Sequence, residues 1–282
     1  MAFAPSALIF IIYTIFYVLC FVYVLLFPSF FLSALSCSDR LCNLFSIRTL
    51  KMICNPTSLQ SVILLLCFCL FFDNFRIAYG GFVSELSLSS FACELLVPLS
   101  AAHLIIVPML IYPVGTMLLY LNSELDIDNG FPPFYITRHR KRTLMISGSL
   151  QFVLVTFGIF QFIQMTLLTD GGGEIIVEST AGGLQVCTYP QTSQFELVGV
   201  LGTSIWCLLV GYYLVRRYHY FMFLIVMLFS VLGQGVGAIF QNIFIIISNG
   251  FEVVFVIALV LLLNRSVERS KDLDQFESLI DH

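Results

Sequence analysis

Asp73 and Arg76 stand three residues apart inside a long apolar run, and Glu94 and Glu252 stand in two further runs of the same kind. A spacing of three puts Asp73 and Arg76 on one face of a helix, where they neutralise each other. Glu94 and Glu252 have no assigned cation, so the group carries two surplus negative charges when every member ionises. Ionisable side chains at membrane depth are costly and face the interior of a bundle, where they mark function or a structural pair. The surplus is met by bound protons, by a cation such as Na⁺, or by an amine ligand. The plainer alternative has Glu94 reaching interfacial water and Glu252 protonated as a donor between helices.

Uncharged groups extend this candidate ligand-binding set. His103 lies in the same apolar run as Glu94, and as a lone histidine it reads more naturally as a hydrogen-bonded core residue than as a ligand. Gln161 and Gln164 share a helical face, and they either line the same cavity or tie helices together.

The elements that must position these residues follow from composition. Of 282 residues, 59% are apolar and 11% charged, and the mean hydropathy is +0.97. Soluble domains average about 45–50% apolar and about 25% charged residues, so the composition is that of an integral membrane protein. The net charge of −4 argues against a nucleic-acid partner, which needs concentrated Lys and Arg. Crossing a hydrocarbon core takes roughly 20 helical residues. Seven stretches approach that length, at about 7–32, 59–82, 91–121, 143–168, 196–215, 219–241 and 243–264. The last two share one apolar block, for which Gln241-Asn242 is the favoured break and Ser248-Asn249-Gly250 the alternative. Pro98, Pro108 and Pro113 are expected to bend the third span.

Basic residues orient the spans, because short cytoplasmic loops retain Lys and Arg. Arg40, Arg48 and Lys51 fall in the first loop, Arg138, Arg140, Lys141 and Arg142 in the third, Arg216 and Arg217 in the fifth, and Arg265, Arg269 and Lys271 in the tail. Only Arg76 lies within a span. The amino end is therefore outside and the carboxyl end cytoplasmic, with a transmembrane domain at 1–264 and a tail at 265–282. Counting about 1.5 Å per residue, Asp73 and Glu252 lie roughly 13 Å, Arg76 roughly 9 Å and Glu94 roughly 5 Å below the outer surface. A cleavable signal peptide ending near Ala34-Leu35-Ser36 competes for the first segment, but the apolar run is too long for one and no positive residue precedes it.

The same map leaves two of the nine cysteines outside: Cys93 at the start of the third span and Cys187 in the fourth loop. Outward cysteines in an oxidising compartment are expected to pair. In that loop, residues 174–178 and 184–189 are strand-like runs around a Gly-containing turn, which predicts a β-hairpin. Pinned by Cys93 and Cys187, it would lie over the bundle mouth as a lid.

Seven spans, an outside amino end and a bridge from the third helix to a hairpin loop together resemble the layout of a rhodopsin-like G-protein-coupled receptor. The resemblance covers topology and one cysteine pair. It does not extend to the family's motifs: the acidic-Arg-Tyr triplet is absent after the third span, where the chain reads Tyr120-Leu121-Asn122-Ser123-Glu124, and the seventh span lacks Asn-Pro followed by Tyr. The reading is of receptor-like layout without family membership.

Several chemistries lack their residues. A retinal Schiff base needs an intramembrane Lys, and all three Lys are cytoplasmic on this map. Zinc hydrolysis needs several His and acidic ligands, whereas His103 is the only intramembrane histidine. An aspartyl protease needs two facing Asp, and Asp73 is alone. The expected protein is therefore not an enzyme, carries no cofactor, and resides in the plasma membrane or another secretory-pathway membrane. Its leading function is to bind a small cationic or amphipathic molecule in the outer half of the bundle. The alternatives are a proton- or cation-coupled transporter or channel-like subunit, and a structural or trafficking subunit without ligand. Partners are the lipid bilayer, the small-molecule ligand and a cytoplasmic protein contacted through Leu273, Phe276 and Ile280 of the tail.

Overall fold

The computed structural model describes residues 5–26, 56–80, 90–117, 133–167, 176–179, 185–188, 197–239, 246–247 and 249–264. Helices carry the fold. They are α1 (Pro5–Leu25), α2 (Pro56–Gly80), an interrupted α3 (Ser90–Ala101, His103–Ile106, a 3-10 turn at Pro108–Leu110, then 111–117), α4 (Pro133–Leu167), α5 (Leu197–Tyr218), α6 (Phe221–Ile239) and α7 (Asn249–Asn264). Three of them open on a proline. At that position its missing N–H is one the helix cannot use anyway, and its fixed φ suits the first turn.

Among the described residues, five helices are long and apolar enough to cross a bilayer: Ala7–Leu25, Leu59–Gly80, Glu94–Met117, Arg142–Gln164 and Val198–Arg216. Two shorter apolar helices, Phe221–Gly233 and Asn249–Asn264, follow. These are the features of an α-helical, multi-pass integral membrane protein. The expected break at Gln241-Asn242 and the tail at 265–282 lie outside the described residues.

The helices are apolar on both sides, but polarity is sorted between them. Leu8, Ile12, Ile15 and Leu19 of α1 and Met145, Phe152, Val153 and Phe160 of α4 face outward, as a hydrocarbon surround permits. Tyr17, Leu59, Ile63, Leu66, Leu70, Leu110, Leu214 and Phe223 fill a common core drawn from five helices.

α1 and α2 lie side by side and antiparallel. Gln60 Nε2 donates to the Val24 carbonyl at 2.6 Å at one end, and Phe10 packs with Ile77 and Ala78 at the other. α7 runs along α1 in the same direction. The Tyr13 hydroxyl donates to the Ile246 carbonyl at 3.4 Å and would touch a Cβ placed on Gly250, while the Asn264 amide nitrogen donates to the Tyr23 hydroxyl at 3.0 Å. α6 meets α7 where the Ser230 hydroxyl donates to the Phe251 carbonyl at 3.0 Å and Gly233 leaves room for the Phe251 ring.

α3 is bent by its own sequence. Pro98, Pro108 and Pro113 cannot donate into the helical ladder, and the chain tightens into a 3-10 turn at Pro108–Leu110. Neighbouring helices take up what this irregular stretch offers. The Tyr112 N–H donates to Gln151 Oε1 of α4 at 2.8 Å, and Trp206 Nε1 of α5 donates to the Ile111 carbonyl at 3.0 Å. Gly158 of α4 lies close to the Leu104 carbonyl, the group that the proline at position 108 leaves without its helical donor.

α4 starts ten residues before the expected span at 143, so the backbone of the basic run at 138–142 is helical. Its 35 residues reach about 50 Å, beyond the roughly 30 Å of a hydrocarbon core. α5 is followed by His219, which adopts φ 54°, a left-handed conformation in which histidine is enriched among non-glycine residues. The reversal lets α6 begin two residues later and pack back on α5. Two short strands, β1 (Ile176–Ser179) and β2 (Gln185–Thr188), pair antiparallel with Val177 opposite Cys187. β2 lies beside α2 and the first segment of α3.

Candidate functional site

Between α1, α2 and α7 lies a polar cluster in otherwise apolar surroundings. From α2 come Asp73, buried, and Arg76, largely buried; Arg76 Nη2 donates to Asp73 Oδ1 at 2.9 Å. Their spacing of one helical turn produces the pairing, as the sequence pattern implies. Asn74, adjacent on α2, is fully buried, and its amide nitrogen donates back to the Leu70 carbonyl at 2.9 Å. From α7 comes Glu252, whose Oε2 is buried without a hydrogen-bond partner. It sits close enough to Asp73 for their charges to interact.

Tyr17 of α1 is the member that the sequence reading missed. Its side chain is fully buried, its hydroxyl has no hydrogen-bond partner, and it lies within electrostatic reach of Glu252 and Asp73. Nothing about Tyr17 alone separates it from Tyr13 or Tyr23 in an aromatic-rich segment. The available signal was the stripe Phe10, Tyr13, Tyr17, Cys20, Val24 at helical spacing, which marks one face of α1. Asn249, one turn before Glu252, is also buried with its amide nitrogen unpartnered.

The remaining candidates stand elsewhere. Glu94 is exposed near the start of α3, whereas Asp73 is buried and Glu252 is half-buried with its Oε2 covered. His103 Nδ1 is hydrogen-bonded to the Ser100 carbonyl within α3, an arrangement that occupies that ring nitrogen locally. Gln161 is buried on α4 with an unpartnered amide nitrogen, and Gln164 is half-buried on the same helix. α4 packs against the middle of α3 and against α5. The side chains of Cys93 and Cys187 lie outside the described residues, as do Cys37, Cys42 and Cys54, whereas Cys20, Cys67, Cys69 and Cys207 are free thiols within helices.

The electrostatics of the cluster have a definite sense. Asp73 and Arg76 cancel. Glu252 adds one carboxyl group, and no basic side chain pairs with it among the described residues. Burying an ionised carboxylate without a partner is among the most expensive arrangements available to a protein. A carboxyl group so placed is neutralised either by a bound proton or by a neighbouring cation. A groove of about 430 Å³ between α1 and α2, lined by Ile15, Leu19, Phe71, Phe75 and Tyr79 among others, differs in kind: its lining is apolar and suits hydrocarbon alone. No known protein family, curated protein or solved structure matches this chain.

Proposed function

We propose that this is a seven-span membrane protein of receptor-like layout, amino end outside, that binds a small cationic molecule at the cluster formed by Tyr17, Asp73, Arg76 and Glu252 in the outer half of the bundle. The observation that carries the reading is the buried, unpartnered Oε2 of Glu252 within electrostatic reach of Asp73, which pairs with Arg76. The span count is supported by the parallel course of α1 and α7 over Tyr13–Ile246 and Tyr23–Asn264, since first and last spans point the same way only when the total is odd. Counting the two shorter apolar helices with the five long ones gives the seven spans of this reading. The strand pair beside α2 and α3 supports a lid over the outer end.

A second reading is a proton- or cation-coupled transporter. The proline-broken α3 favours it, because interrupted helices inside a membrane bundle occur where they line a path or a cavity.

Full-length protein in lipid nanodiscs and in sealed proteoliposomes separates the readings. Saturable stabilisation by phenethylammonium, without stabilisation by phenylacetate and without flux, supports the receptor-like protein. Phenethylammonium or proton flux across proteoliposomes supports the transporter. Neither response, with a stoichiometric protein partner on purification, assigns a structural or trafficking role.

A further inference from the structure

We infer that the basic ends of α4 and α5 together form a binding site for the headgroup of a polyanionic phospholipid. α4 supplies Arg138, Arg140, Lys141 and Arg142, and α5 supplies Arg216 and Arg217. The site is separate from the Glu252 cluster and does not depend on the ligand reading above.

α4 is one continuous helix from Pro133 to Leu167, while its membrane-crossing part begins only at Arg142. Positions 138–142 are therefore spaced by helix geometry rather than spread along a loop. Ser147, Gln151, Leu154 and Gly158 mark the face of α4 that meets α3 and α5. Arg140 lies two turns below Ser147 on that face, and Arg138 and Arg142 lie one turn apart on the opposite side.

The register of α5 against α4 brings the second group of cations to the same level. A Cβ on Gly202 of α5 would meet Leu154 Cδ1 of α4 at 2.6 Å. A Cβ on Gly115 of α3 would meet both Ser147 of α4, at 3.0 Å, and Trp206 of α5, at 3.3 Å. Leu154 is thus level with Gly202, and Ser147 with Trp206, so the two helices run antiparallel. Counting on from these levels at about 1.5 Å per residue sets Arg216 level with about residues 137–140 of α4. Arg142 and Arg216 are terminal residues of the two apolar spans, and both are exposed.

Neither helix contains an Asp or Glu. The nearest acids in sequence before α4, Glu124, Asp126 and Asp128, lie outside the described residues. A sidedness signal needs only that the positive residues be on one side of the membrane. Gathering them at one level of two packed helices adds mutual repulsion, which a polyanion relieves. Clusters of about four to eight Lys and Arg immediately beyond a span are suited to anionic head groups, and the planar fork of arginine takes two oxygens of one phosphate. Hydrocarbon contact decides for a lipid over a free phosphate. Met145 and Ile146 of α4 and Leu209 and Tyr212 of α5, within about two turns of the cations, are exposed apolar side chains on which acyl chains can lie.

The test titrates full-length protein in detergent with dioctanoyl phosphatidylinositol bisphosphate, dioctanoyl phosphatidylserine and inositol trisphosphate, read by native mass spectrometry. Wild type should bind the bisphosphate lipid at least about tenfold more tightly than either other probe. Arg140→Gln and Arg216→Gln should each weaken it about fivefold, the loss expected for one basic residue beside anionic lipid. Arg269→Gln, which removes a positive charge from the tail, should leave it unchanged. Size-exclusion profiles establish that each variant is folded, and Arg142→Gln replaces Arg140→Gln if the latter is not recovered. Failure of wild type to bind the lipid, or to prefer it over phosphatidylserine, overturns the proposal. Inositol trisphosphate bound as tightly as the lipid overturns the lipid source. Unchanged binding by Arg216→Gln overturns the two-helix site, and equal weakening by Arg269→Gln reduces it to unspecific attraction.

Discussion

Arg76 and Asp73 meet at 2.9 Å one turn apart on α2, a helix that also buries the hydrocarbon side chains of Ile63, Leu66, Leu70 and Ile77. Removing one member of a buried pair leaves the other uncompensated, at a typical cost of about 3–5 kcal/mol. Arg76→Met alone should therefore lower the yield of monodisperse protein more than Arg76→Met combined with Asp73→Leu. Size-exclusion profiles after detergent extraction make the comparison. Wild-type yield from the single variant would place Arg76 in head groups or water.

A tight contact between α3 and α4 gives a second expectation. A Cβ on Gly158 would stand 2.5 Å from the Leu104 carbonyl oxygen, and backbone cannot yield as a side-chain end can. Gly158→Ala should destabilise by about 1–3 kcal/mol, the usual range for overpacking. Gly148→Ala is the control: its nearest neighbour, the Tyr112 ring, is 3.8 Å away, so stability should hold within about 0.5 kcal/mol. Unfolding titrations in mixed micelles measure both. Equal behaviour of the two variants would mean that α3 and α4 are farther apart.

The seven-span topology predicts that an epitope inserted at 175 is labelled on intact cells, and that one at the carboxyl end is labelled only after permeabilisation. Labelling of both without permeabilisation would end the odd span count and the proposal built on it.

Cys93 and Cys187 are expected to form a disulfide. Non-reducing peptide mapping should recover the two linked, while alkylation before digestion should modify Cys20 and leave that pair unmodified. Recovery of alkylated Cys93 and Cys187 would leave the strand pair held by packing alone.

By itself, the amino-acid sequence determined that this chain lives in a membrane, roughly where its long apolar helices lie and which residues break the third. Local chemistry sets these: apolar fraction and run length against bilayer thickness, prolines at Pro5, Pro56 and Pro133, and prolines 98, 108 and 113 missing from the donor ladder of α3. The Asp73–Arg76 pairing was legible for the same reason, being a contact within one helix. What only the tertiary structure decided is which polar residues from different helices share a site. Composition makes each helix apolar all round, so no face announces its neighbour, and lateral packing is set by shape and by a few hydrogen bonds such as Gln60–Val24, Tyr23–Asn264 and Trp206–Ile111. That packing brought Glu252 within electrostatic reach of Asp73 across more than half the chain and added Tyr17 from α1, while Glu94, likewise a carboxylate in an apolar run, is exposed.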